Sequence, residues 1–161
     1  MPHLTLPLSR AGAVLDVQLG VGLPRATALR AGGLTVPPTV GLRAMIDTGA
    51  RYTCVTPEVL QRLGLTPVGT TRIRTPSSGA AGHARRLFEV SVTVQTAPPQ
   101  VLAGAIHVIE TSLTGHGIAS LIGHDLLTGR LFVYDGAAGS FCAGGSSIGD
   151  LTPGRATWWR P

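Results

Sequence analysis

Residues 44–50 read Ala-Met-Ile-Asp-Thr-Gly-Ala, an apolar run that ends abruptly in a carboxylate, a hydroxyl and a glycine. Asp47 stands directly against the apolar residues, where ionisation is costly unless neighbouring groups compensate. Gly49 lets another backbone come close, or lets the chain adopt a conformation closed to other residues. Two interpretations follow: Asp47 either closes a strand in an ordinary turn by bonding its own backbone, or it is a reactive carboxylate.

The residues on either side predict where this stretch lies. Residues 40–46 are the strand that delivers Asp47. A short helix follows, because Thr56 can cap it, Pro57 suits its first position and Gly64 closes it. Residues 22–33 have a looser pattern and are interpreted as a connection. Alternating or apolar runs predict further strands at residues 4–8, 13–21, 68–75, 88–95, 101–109, 131–134 and 140–143.

Two later stretches carry further signals. Residues 76–82 read Pro-Ser-Ser-Gly-Ala-Ala-Gly between two predicted strands, which is typical of a hairpin tip. A phosphate-binding loop is disfavoured there, because no Lys follows and no helix begins. Residues 121–127 read Leu-Ile-Gly-His-Asp-Leu-Leu, an apolar strand that enters a glycine and then a helical turn.

The composition predicts one all-β domain. The chain has 161 residues, of which 43% are hydrophobic and only 4% aromatic, with 22 Gly and 12 Pro. This profile favours short strands and many turns over long helices. A chain of this length is also long enough for a sizeable core.

Charge and residue usage exclude several classes of function. The net charge of +5 comes from 13 scattered Arg and no Lys, which argues against a nucleic-acid groove and excludes lysine-dependent chemistry. The five His show no metal-binding spacing, and Cys54 in its apolar setting is more typical of a structural thiol than of a nucleophile. Two Cys, no secretory signal and no apolar run of membrane-spanning length predict a soluble cytoplasmic protein.

Together, the Asp-Thr-Gly-Ala at 47–50, the glycine-bearing hairpin tip and the Leu-Ile-Gly-His-Asp-Leu-Leu at 121–127 resemble a retropepsin, a single-domain aspartic protease of the retroviral type. The resemblance covers about residues 12–143, most of the chain. It implies a small closed β-barrel with one or two short helices. It also implies peptide-bond hydrolysis without a metal or organic cofactor.

The chemistry of that family needs two carboxylates that share one proton, because both cannot ionise side by side. One activates a water, and the protonated partner hydrogen-bonds the scissile carbonyl. The chain has one Asp-Thr-Gly, and Asp16, Asp125, Asp135 and Asp150 lack the following Thr-Gly or Ser-Gly. The resemblance therefore implies a homodimer in which Asp47 faces Asp47 across a two-fold axis.

The resemblance also assigns supporting roles. Thr48 would bond across the dimer axis, Gly49 would let the substrate approach, and Ala50 offers no hydroxyl to the carboxylate. The lack of a hydroxyl at Ala50 predicts a less acidic pH optimum for activity than in pepsin-like enzymes. Leu121, Ile122 and Gly123 would pack beneath the loop. The flap that closes over an extended peptide would consist of Pro76, Ser77, Ser78, Gly79, Ala80, Ala81 and Gly82.

Three features depart from the family. Arg51 and Tyr52 stand where retroviral enzymes often carry acids, and His124 stands where Arg is common, which predicts a rewired ion pair. The predicted flap has no large aromatic residue or isoleucine at its tip.

We therefore predict an aspartic endopeptidase domain at residues 1–143, acting as a homodimer on protein or peptide substrates, with no nucleic-acid or membrane partner. Residues 144–161 are a C-terminal tail, either flexible or part of an interface, and Trp158 and Trp159 pack on the domain, seal an interface or hang free. Two alternatives stay open. One is a catalytically silent retropepsin-like module for peptide binding or dimerisation; the other is a β-rich ligand-binding protein whose Asp-Thr-Gly is fortuitous.

Overall fold

The structure, a computed structural model, describes residues 4–74, 82–96, 99–113 and 115–144. It is mostly β, as predicted. The strands are β1 (Leu4–Pro7), β2 (Val14–Val21), β3 (Val40–Ile46), β4 (Cys54–Val55), β5 (Gly69–Ile73), β6 (His83–Val94), β7 (Gln100–Glu110), β8 (Ser120–Ile122), β9 (Leu131–Asp135) and β10 (Ser140–Gly144). The helices are α1 (Leu23–Ala31), α2 (Pro57–Arg62) and α3 (His124–Leu127).

Six strands close into a barrel in the order β2, β3, β8, β4, β7, β6, and β2 pairs with β6 to complete the ring. The pairs β3–β8 and β4–β7 are parallel, whereas the other neighbours in the ring are antiparallel. β5 extends β6 as an antiparallel hairpin partner outside the ring. The predicted closed barrel is confirmed.

The barrel interior is filled by apolar residues that alternate along the strands with more exposed ones. In β6 the side chains of Phe88, Val90, Val92 and Val94 are buried, as the period-2 pattern predicts. β2 contributes every second residue in the same way, at Leu15, Val17 and Leu19. Burying one side chain of this size stabilises the folded state by about 1.5–3 kcal/mol relative to leaving it in water.

A second sheet packs against the barrel. It contains β1, β10 and β9 in that order, all antiparallel. Phe141 of β10 is 1% exposed and belongs to the same apolar core as the barrel residues. Its ring centroid lies 6.1 Å from that of Phe132 on β9. The two ends of the described chain therefore meet in one sheet beside the barrel.

The prediction of a connection at residues 22–33 is wrong, because α1 forms there. The described residues contain three short helices, whereas one or two were predicted. Pro24 lies in the first turn of α1, where a missing N–H costs nothing. Gly33, with φ +70°, follows the end of the helix. α1 buries only Ala26, so its sequence carries no apolar stripe by which a helix could be recognised.

α2 begins and ends as predicted, with one difference. Pro57 and Glu58 occupy its first turn, and Gly64, with φ +60°, lies just beyond it. Thr56 holds the N-cap position, but its hydroxyl makes no capping hydrogen bond. The helix is held instead by burial of Val59 and Leu60 in the core.

Parts of two predicted segments lie outside the described residues. Of the predicted flap, Gly82 is described, whereas residues 76–81 lie outside. Residues 145–161 of the predicted tail, with Trp158 and Trp159, also lie outside. Gly144, the first residue of that predicted tail, is the last residue of β10. The division of the chain after residue 143 stays a prediction.

Candidate active site

Asp47 lies at the end of β3, where β3 runs parallel to β8. Ile46 is paired with Ile122, and the Asp47 N–H donates a hydrogen bond to the Ile122 carbonyl oxygen at 3.0 Å. Because the two strands are parallel, the residues that follow them emerge at the same edge of the barrel. Asp47 and Gly123, far apart in sequence, are thereby brought together.

The Asp47 carboxylate is oriented by its own loop. Its Oδ1 accepts the Gly49 N–H at 2.9 Å, and its backbone carbonyl accepts the Ala50 N–H at 3.1 Å. Asp47 and Ala50 are half-buried, whereas Thr48 and Gly49 are exposed. A Cβ at Gly49 would lie 3.2 Å from Asp47 Oδ1 and crowd the carboxylate. An ordinary turn would show the same Gly49 bond, so the distinguishing feature is what packs against this loop.

Gly123 lies directly against the backbone that follows Asp47. A Cβ there would lie 2.6 Å from the Tyr52 carbonyl carbon, 2.7 Å from its oxygen and 3.0 Å from the Ala50 carbonyl oxygen. The next residue, His124, donates its backbone N–H to that Ala50 oxygen at 2.9 Å. The Gly123 position therefore requires a residue without a side chain, and it braces the loop from below.

Leu121 and Ile122 differ in how they meet the loop. Ile122 is buried in the barrel core, whereas Leu121 is half-buried and paired with both Met45 and Cys54. β8 thus lies between β3 and β4, the strands on either side of the Asp47 loop. The structure brings Leu121, Ile122 and Gly123 together with residues 47–50.

Beneath the loop, Thr53 and Asp125 form a hydrogen-bonded pair. Thr53, which is 1% exposed, donates its backbone N–H to both carboxylate oxygens, at 3.0 and 2.8 Å, and its Oγ1 hydroxyl to Asp125 Oδ1 at 2.7 Å. The same hydroxyl accepts the Gly123 N–H at 3.1 Å. Asp125 Oδ1 also accepts the Leu126 N–H at 2.9 Å. This network ties the chain after the Asp47 loop to the start of α3.

The β5–β6 hairpin supplies the base of the predicted flap. Its pairing runs from Gly69–Leu87 to Ile73–His83. Gly82 has φ +61°, and a Cβ there would lie 2.7 Å from the Ile73 carbonyl oxygen, so this position also favours glycine. Within the described ranges, no cluster of three or more His, Cys, Asp or Glu could hold a metal ion. The helices in those ranges are all too short or too polar to cross a membrane.

The sequence profile of the aspartyl protease family matches residues 27–126, a segment that contains both Asp47 and Gly123. The chain belongs to the aspartyl protease family. No protein of curated function matches this chain.

Among solved structures, this member of the aspartyl protease family is similar to a retropepsin-like aspartic protease from Rickettsia conorii, with 18% identity and a TM-score of 0.50. That match covers 90% of this chain and 92% of the other, and it identifies the fold as retropepsin-like. The foamy viral protease-reverse transcriptase matches with a TM-score of 0.42 and 16% identity, over 71% of this chain and 11% of that one. The retroviral protease-like domain of Ddi1 from Leishmania major matches with a TM-score of 0.37 and 18% identity, over 76% and 82%.

The sequence patterns did not reveal the role of Thr53 and Asp125. As a second carboxylate, Asp125 is disfavoured because no Thr-Gly follows it. The one local signal was an acid in the first turn of a short helix, where it bonds free N–H groups. That signal identifies neither Thr53 nor the Asp47 loop, because the contact spans 72 residues.

Thr53→Val is expected to destabilise the protein by about 2–3 kcal/mol. Valine keeps the shape of the threonine side chain but has no hydroxyl. The Gly123 N–H then lacks its acceptor, and Asp125 lacks its hydroxyl donor. Denaturant unfolding measures the loss. Thr53→Ser, which retains the hydroxyl, is the matched control and should recover most of the stability. Equal stabilities of the valine and serine variants would contradict a bracing role for the hydroxyl.

Cys54 lies close to this network. Burial raises the pKa of its thiol above the ordinary value, and the Asp125 and Asp47 carboxylates add to the increase, while the Thr111 hydroxyl offsets part of it. The thiol donates a weak hydrogen bond to the Tyr52 carbonyl oxygen at 3.5 Å. A raised pKa keeps the thiol protonated and unreactive at neutral pH, which agrees with the interpretation of Cys54 as structural.

Proposed function

We propose that this chain is an aspartic endopeptidase that hydrolyses peptide bonds in extended polypeptides through a water activated by the paired Asp47 of a homodimer. The observation that carries the proposal is the braced loop. Asp47 stands at the end of β3, with Gly123 and the Thr53–Asp125 pair packed beneath the residues that follow it. An ordinary strand-ending turn needs no such support from a distant part of the chain.

A second copy of the chain would supply the second carboxylate. Asp125, two residues after Gly123, accepts hydrogen bonds from Thr53 and Leu126. It is engaged in holding the loop and is a poor candidate for a proton-sharing partner. A two-fold axis beside Asp47 would instead bring two identical carboxylates together. The exposed Thr48 hydroxyl would then bond across the axis.

The proposed reaction uses both carboxylates. The ionised Asp47 takes a proton from the water while the water oxygen attacks the carbonyl carbon of the peptide bond. The protonated Asp47 of the second chain donates a hydrogen bond to the carbonyl oxygen. The carbon–nitrogen bond of the tetrahedral intermediate then breaks, and the leaving amine receives a proton from the Asp47 carboxyl group that was protonated by the water. The peptide would lie extended beneath the β5–β6 hairpin, with residues 76–82 as its flap.

The test is the concentration dependence of peptide cleavage. Because each active site needs two chains, the rate should rise with the square of the chain concentration below the dissociation constant and linearly above it. Analytical ultracentrifugation on the same samples should show the monomer-to-dimer transition over the same range. A cleavage rate that is linear in chain concentration over the whole range, from protein that sediments as a monomer, would contradict the Asp47 pair. Peptide binding without cleavage by the dimer would indicate a silent module.

A further inference from the structure

Arg51 is a cation on the same loop as Asp47, four residues along the chain, and its backbone is held in place. Its carbonyl oxygen accepts the Asp125 N–H at 3.3 Å, and the preceding Ala50 carbonyl accepts the His124 N–H at 2.9 Å. The residue itself is exposed. A fixed backbone with an exposed guanidinium gives the loop a charged group at a defined position.

The Arg51 side chain is restrained by its neighbour. Its guanidinium carbon lies 5.3 Å from the centroid of the Tyr52 ring, which is a cation–π arrangement. The guanidinium carries its N–H donors in a planar fork that matches the geometry of a carboxylate. Contact with the ring also lowers the conformational entropy that the side chain loses when it binds a partner.

Two acids on neighbouring elements are already engaged. Asp125 is bonded to Thr53 and Leu126, and Glu110 is paired with Arg86 on the neighbouring strand. In the part of the chain that the structure describes, no carboxylate forms an ion pair with Arg51. A planar guanidinium on the loop that carries Asp47 matches a carboxylate in both charge and geometry.

We propose that Arg51 is a specificity-determining residue that binds the carboxylate of an Asp or Glu side chain in the substrate. The inference rests on the proposed function and adds a substrate class to it. A two-fold dimer carries one Arg51 on each side of the scissile bond. The preference for acidic residues therefore falls at equivalent distances on both sides of that bond, and Lys or Arg at those positions is disfavoured by repulsion.

The test uses peptides that differ in one residue, with Glu, Gln or Lys placed in turn at each of the four positions on either side of the scissile bond. Wild-type enzyme is expected to favour Glu over Gln about fivefold in kcat/KM at the best position, the size of an exposed charge pair, mainly through KM. Added salt should shrink the difference. Arg51→Glu should reverse it, so that the Lys peptide becomes the better substrate.

Arg62→Glu is the matched control, because it makes the same charge change at an exposed position on α2. It should leave the Glu preference as in wild type. Equal cleavage of the Glu and Gln peptides by wild type, or an unaltered preference in Arg51→Glu, would overturn the proposal.

A binding measurement separates this inference from the proposed function. Fluorescence anisotropy of labelled Glu and Gln peptides on Asp47→Asn protein should show about fivefold tighter binding of the Glu peptide. That difference should be lost when Arg51→Glu is added. If wild type cuts no peptide, the proposed function fails, and the anisotropy result still decides the role of Arg51.

Discussion

Asp47→Asn is expected to lower kcat/KM for peptide cleavage by about a thousandfold or more, the contribution of a positioned general base. The change removes both carboxylates of the proposed pair at once, because each chain supplies one. The amide is nearly isosteric, and its oxygen can still accept the Gly49 N–H that orients the present carboxylate. The loop and the fold should therefore survive, and the loss should be chemical.

The measurement is cleavage of an unbiased peptide mixture from about pH 4 to pH 7, since a carboxylate pair depends on protonation. Asp16→Asn is the matched control: it makes the same chemical change at an exposed position of β2 and should leave the rate as in wild type. Equal cutting by wild type and Asp47→Asn would trace the activity to another site or a contaminant.

Mixed dimers sharpen this result. Adding an excess of Asp47→Asn chains to wild type should suppress cleavage, because most wild-type chains then pair with a chain that lacks the carboxylate. The remaining cleavage rate should be proportional to the fraction of dimers that contain two wild-type chains, which random pairing makes equal to the square of the wild-type fraction. Cleavage that is indifferent to the added chains would indicate that one Asp47 is sufficient, or that the chains do not exchange, which sedimentation of a tagged mixture distinguishes.

Gly123→Ala is expected to destabilise the protein by about 2–3 kcal/mol, which lowers Tm by about 5–10 °C. The new Cβ would stand within 3.0 Å of the Tyr52 and Ala50 backbones, and backbone atoms yield less readily than the end of a flexible side chain. Relief would push the chain that follows Asp47 away from β8. Cleavage measured well below Tm should therefore fall as well.

The control for this prediction is Gly69→Ala. Gly69 lies in β5, and a Cβ there would meet nothing within 4 Å. Its free energy of unfolding should stay within about 0.5 kcal/mol of wild type. If Gly123→Ala unfolds like wild type and cleaves at the wild-type rate, then the loop is not braced by β8.

Local sequence patterns predicted the elements whose signals are local. The alternation along residues 88–95 specifies one buried face, and β6 buries the apolar residues of that face, Phe88, Val90, Val92 and Val94. Pro57 and Gly64 mark the limits of α2 by their own backbone preferences. α1 was missed because Ala26 is its only buried residue. A helix that buries one side chain has no apolar residues at helical spacing by which the sequence could reveal it.

By itself, the sequence determined that an acid and a glycine-containing turn end the apolar strand β3, and that a second apolar strand ends in Gly123. Only the tertiary structure decided that these two strands run side by side in parallel, and that Thr53 and Asp125 meet beneath the loop. The physical reason is that close approach and hydrogen bonding depend on which strands pair, and β3 and β8 pair through closure of the whole barrel. No residue near Asp47 in sequence encodes that closure.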